Sequence, residues 1–92
     1  MKAIPTDDKS TVSKVFGRAT WFALVKDGGV EFLSGTSANE HGAGTGAVSL
    51  LADRGVDEVV AAEVGPKARD SLVAAGIAIT LVRAGTPISD IA

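Results

Sequence analysis

Apolar residues occur along the chain in short runs, each closed by proline, glycine or a polar stretch, and these closures set the predicted elements. Met1 to Pro5 is an apolar run stopped by proline, and the polar stretch Thr6 to Lys14 has the composition of a loop. A first strand and a long connection follow. Thr20-Trp21-Phe22-Ala23-Leu24-Val25 is apolar on both faces, whereas Val30-Glu31-Phe32-Leu33 alternates, and Asp27-Gly28 between them is a hairpin signal. After the polar residues Ser34 to Glu40, apolar positions fall at Ala43, Ala47, Leu50 and Leu51, a helical spacing that starts near Gly42 and stops at Gly55. Glu58 to Val64 reads as a central strand covered on both faces. Gly65-Pro66 opens a second helix with Ala68, Leu72 and Ala75 on one side and Gly76 as its stop. Ile77 to Val82 is a further strand. Thr86-Pro87 has the form of an N-cap and first position of a short helix ending near Ala92.

The order β-β-β-α-β-α-β joins a hairpin-rich first half to helical crossovers suited to parallel strands, so it predicts an α/β fold with a mixed five-stranded sheet. With strand one up, two down and three up, the first helix starts at the end where strands one and four finish. The connections 6–19, 34–42 and 63–66 then share one rim, where open α/β sheets bind ligands.

Length bounds this picture to a single domain over residues 1–92. The apolar share of 46% and charged share of 22% are globular values, which set disorder aside. There is no cysteine, which excludes disulfides, thiolate metal sites and cysteine nucleophiles. A formal net charge of -2 gives no basic footprint for nucleic acid. No apolar run has a membrane-spanning length, and the start lacks a signal-peptide core, so a soluble cytoplasmic protein is expected.

Candidate chemistry gathers on the predicted rim. His41-Gly42-Ala43-Gly44 precedes the first helix, where unpaired amides favour an anion and glycines permit close approach. His41 is the one histidine, and its imidazole is a candidate metal ligand. The segment Lys9 to Arg18 combines three cations with three hydroxyls, of which Arg18, Thr11 and Ser13 are candidate contacts to an oxyanion. Its bland alternative is a solvated loop anchored inward by Val12 and Phe16. Asp7, Asp8 and Glu63 are candidates for a divalent cation, with loop hydrogen bonding as the competing role. Trp21 and Phe22 are expected in the core. A mononuclear zinc site fails on ligand count, and neither a serine triad nor a phosphate loop is legible. A preassembled cluster differs, because its metals already carry other ligands and one histidine can anchor it.

The segments Ala3-Ile4-Pro5-Thr6, Ser13-Lys14-Val15-Phe16-Gly17-Arg18-Ala19, His41-Gly42-Ala43-Gly44, Gly55-Val56-Asp57, Gly65-Pro66 and Ala75-Gly76-Ile77 resemble the dinitrogenase iron–molybdenum cofactor biosynthesis family, the NifX-type proteins. The resemblance spans nearly the whole chain. It implies a three-layer RNase H-like domain that binds or carries an iron–sulfur or molybdenum-containing cluster, or its precursor, and has no catalytic activity of its own. Cluster donor and acceptor proteins are the partners it implies. Two departures stand out: Val15 occupies a position where relatives often have histidine, and the last helix is nearly missing. A metal-dependent nuclease, the enzyme alternative on such a topology, would need acids on the first strand, and Lys2-Ala3-Ile4-Pro5 has none. A cofactor-free module that works by homodimerisation, through Phe32 and Leu33 on an edge strand, is the remaining alternative.

Overall fold

The computed structural model of the protein describes residues 1–35 and 45–91. Its strands are β1 (Lys2–Thr6), β2 (Trp21–Lys26), β3 (Gly29–Ser34), β4 (Glu58–Ala61) and β5 (Ala78–Leu81), with helices α1 (Thr45–Asp53) and α2 (Pro66–Ala74). Short 3-10 turns cover Phe16–Arg18 and Ile88–Asp90. The sheet order is β3-β2-β1-β4-β5, antiparallel across the first three and parallel from β1 through β4 to β5. β1, β3, β4 and β5 therefore all finish on one rim, as the order of elements predicts.

Both helices end in the same way. Gly55 and Gly76 take positive φ of 81° and 75°. The amides that follow turn back onto the last turn: Val56 N–H donates to Leu51 O and Ile77 N–H to Leu72 O at 3.1 and 2.9 Å. This is the left-handed C-terminal motif for which glycine carries no Cβ penalty. Leu51, Val56, Leu72 and Ile77 are all buried in one cluster, so each cap also closes a hydrophobic contact.

That cluster lies between the helices and one sheet face, where Ala3, Phe22, Leu24, Val59 and Ala61 meet Ala47, Val48, Leu51, Ala68 and Leu72. The opposite face carries Ile4, Ala23 and Val60, and its cover is thin: Val12 from the first long connection and Ile88 from the C-terminal turn. These two covering segments hold each other. Val12 N–H donates to Thr86 O, Gly85 N–H to Val12 O and Ile88 N–H to Ser10 O, at 2.9, 2.8 and 2.8 Å.

Three expectations need correction. β4 ends at Ala61 instead of running to Val64, because β1 pairs with it only at Lys2 and Ala3. Pro5 has no N–H to extend that ladder, and its carbonyl accepts the Ser13 N–H at 2.9 Å. At the C-terminus Thr86 caps no α-helix: its hydroxyl donates to Arg83 O at 2.6 Å, and the extended Pro87 pairs with Thr11 before a single 3-10 turn. Trp21 is only half-buried, whereas Phe22 is fully in the core. Strand alternation puts Trp21 on the thinly covered face, where the Lys9 ammonium lies 4.3 Å from its ring centre.

Candidate functional site

The long connection from β1 to β2 folds back on itself before it reaches the rim. Asp8 organises this step: its carboxylate accepts the Ser10 and Thr11 amides, each at 2.8 Å, and the Thr11 hydroxyl at 2.9 Å. These bonds to the charged form, led by the Ser10 amide, lower its pKa from the usual 3.8 to about 2. Asp7 accepts the Thr20 amide and hydroxyl at 2.9 and 3.0 Å, which ties the far end of the connection to its start. Both acids serve as loop hydrogen-bond acceptors. Glu63 joins them in no cation site, since no group of three histidine or acidic side chains gathers among the described residues.

Val12 and Phe16 anchor this connection into the two opposite cores, at 2% and 0% exposure. Phe16 packs on Phe22 with ring centres 5.5 Å apart. Its amide donates to Glu63 O at 3.0 Å, fastening the Phe16–Arg18 turn to the segment leading from β4 into α2. Val15 and Arg18, on either side of it, consequently face outward. Val15 is 36% exposed despite being apolar, and Arg18 is exposed without an ion pair to another described residue.

Together these elements frame a depression of about 430 Å³ lined by Val15, Gly17, Arg18, Gly65, Pro66, Lys67 and Ala68. Its floor is apolar, its only charged side chains among the described residues are the cations Arg18 and Lys67, and it lies at the N-terminal end of α2. Gly65 gives that helix no side-chain cap, and with Pro66 lacking an N–H the donors of the first turn are the Lys67 and Ala68 amides. A guanidinium, an ammonium and helix-end amides around an apolar floor suit a bulky anion with a soft, weakly hydrated surface.

Thr11 and Ser13 fall elsewhere. They line a second depression, of about 450 Å³, with Asp7, Asp8, Lys14 and Gly85, where two carboxylates oppose an anion. The Thr11 hydroxyl is bound to Asp8, and Ser13 is buried with its hydroxyl directed at Val15 O, 3.5 Å away. Their arrangement holds the loop's shape. His41, Gly42, Ala43 and Gly44 lie outside the described residues. Lys67 is the residue that sequence reasoning missed: it follows Gly65-Pro66, a segment noted only as a helix start, and the strand order brings it beside Arg18.

The sequence pattern described as dinitrogenase iron-molybdenum cofactor matches residues 1–92. Among solved structures, the apo form of the orange protein from Desulfovibrio gigas is similar at 29% identity and a TM-score of 0.87, covering 98% of this chain and 81% of that one. A protein from Thermotoga described as a putative NifB protein is 35% identical with a TM-score of 0.78, covering 98% of this chain and 82% of its own. A search of curated protein sequences finds no match. With the match running over its whole length, the chain belongs to the dinitrogenase iron-molybdenum cofactor family.

Proposed function

We propose that the protein is a non-enzymatic carrier of an iron–sulfur or molybdenum-containing cluster, or of its precursor, and that the cargo docks on the rim between the Phe16–Arg18 turn and the start of α2. The observation that carries this reading is the pairing of an apolar floor with two cations, Arg18 and Lys67, that have no ion-pair partner among the described residues. A sulfide-rich cluster is polyanionic and soft, so it matches both features at once, whereas a small hydrated oxyanion would match only the charge. His41 supplies the one coordination bond available from imidazole, and Gly42, Ala43 and Gly44 supply amides at the entry to α1. Arg18 and Lys67 neutralise charge. Thr11 and Ser13 act indirectly, by fixing the loop that presents Val15 and Arg18. Val15 in place of a second histidine leaves the cargo held by one coordination bond and electrostatics, which suits release to an acceptor protein.

The full chain is incubated without oxygen with isolated iron–molybdenum cofactor and then passed over a desalting column. Co-eluting metal and a visible absorption band are the expected result, with retention reduced in His41→Ala and in Arg18→Ala. Retention equal to the parent's in both variants would overturn the assignment.

A further inference from the structure

Residues 83–91 carry an inference that rests on the carrier reading and adds a control of its site. After Val82 N–H donates to Ala61 O at 2.9 Å, the chain leaves the sheet and lies over the thinly covered face. Ile88 alone among residues 83–91 is buried, at 6% exposure, in the cluster of Ile4, Val12, Ala23 and Val60. At the end of the segment the Lys2 ammonium donates to Ile91 O at 2.8 Å. One buried side chain, one ammonium and a few backbone bonds are weak support for a segment of this length. It therefore opens at a free energy well below that of the whole fold.

Its backbone partners lie in the connection that presents Val15 and Arg18. Val12 has both backbone groups engaged there: its N–H donates to Thr86 O and its carbonyl accepts the Gly85 N–H, at 2.9 and 2.8 Å. Ile88 N–H donates to Ser10 O at 2.8 Å, and Pro87 pairs with Thr11. With Val12 freed, the turn carrying Arg18 is held by Phe16 and by the Ser13 N–H to Pro5 O bond, without its anchor in the other core.

We infer that residues 83–91 form a latch whose closure and the loading of the cargo rim favour each other. The closed latch fixes Val12 and, through it, the connection that sets Val15 and Arg18 beside Lys67. The open latch leaves that geometry unfixed and the cargo more weakly held. Linkage makes the effect reciprocal: cargo lowers the frequency of opening by the same factor by which the open form binds it less tightly. Opening also bares Ile4, Ala23 and Val60, so the empty chain shows this apolar face more often than the loaded one.

Hydrogen exchange of the full chain without oxygen, resolved to single amides, tests the latch at Val12, Gly85 and Ile88. The Asp57 amide, which donates to Met1 O at the opposite end of the sheet, is the control. Without cargo, the three amides exchange faster than the buried strands β1 and β2. Lys2→Met speeds all three by one common factor, about tenfold, because every opening breaks the Lys2 bond. Isolated iron–molybdenum cofactor at saturation slows all three about fivefold or more and leaves Asp57 unchanged. Unequal acceleration of the three amides in Lys2→Met, or cofactor that co-elutes with the parent without slowing them, would overturn the latch and leave the carrier reading standing. Cofactor that is not retained at all would overturn both.

Discussion

Phe16 is the residue on which the rim depends, and replacing it with alanine is the sharpest perturbation of the fold–site link. The side chain is fully buried and stacks at a tilt on Phe22, 5.5 Å away between ring centres. Truncating a buried phenylalanine costs roughly 3–5 kcal/mol, combining lost transfer free energy with the cavity left behind. A chain of this size has a total stability of about 5–14 kcal/mol, so the loss takes a fifth or more of it. At about 4–8 °C per kcal/mol for such a domain, the midpoint of thermal unfolding falls by roughly 12–40 °C. Urea titration followed by circular dichroism measures the change directly, with an unchanged slope showing that two-state unfolding is preserved. Val12→Ala, at the loop's other anchor, removes two buried carbons and costs only about 2 kcal/mol. The two differ further in what they release: Phe16→Ala frees the turn carrying Arg18, whereas Val12→Ala loosens the C-terminal cover of the other face. A loss under about 1 kcal/mol for Phe16→Ala with the slope unchanged would refute the view that this ring fixes the site.

Gly35→Ala destabilises the protein by about 1–3 kcal/mol in the same titration, because a Cβ there would overlap the Ala19 backbone carbonyl, which cannot swing away as a side chain would. Asp8 has a folded pKa of about 2 against an ordinary 3.8, so its contribution to stability is complete above 3.8 and is lost as pH falls towards 2. The stability difference between parent and Asp8→Asn therefore narrows across that window, and a constant difference down to pH 2 would contradict the assignment. Lys2→Met removes the bond from the Lys2 ammonium to Ile91 O at 2.8 Å, costs about 1.5 kcal/mol, and lowers hydrogen-exchange protection at the amides of 88–91 more than in the strands.

Much of the architecture is local in origin and hence legible in the residues themselves. Asp27-Gly28 closes the hairpin, Gly55 and Gly76 end the helices, and Pro66 opens α2 because each depends on the backbone preferences of a few neighbours. The misread elements depend on partners distant in sequence. β4 stops early because Pro5, over fifty residues before it, supplies no donor. Thr86 turns onto Arg83 because the long connection at Thr11 claims Pro87 as a strand-like partner. Trp21 is aromatic in a strand, which suggests burial, yet its face is covered only as far as Val12 and Ile88 reach. The site divides in the same manner. Arg18 is recognisable as an available cation in its own segment, but its pairing with Lys67 appears only once β1 and β4 lie side by side. Thr11 and Ser13 look like anion contacts by composition, and the hydrogen bonds that occupy them come from Asp8 and the loop backbone.

The most direct test of the carrier account is to locate the cargo on the molecule. Amide resonances of uniformly labelled protein are followed as isolated iron–molybdenum cofactor is added without oxygen. The account predicts that shifts or paramagnetic broadening concentrate at Val15 to Arg18, His41 to Gly44 and Gly65 to Ala68, with the far end around Asp27 to Gly29 and Asp57 unaffected. Perturbation centred on that far end, or none at any concentration, would contradict it.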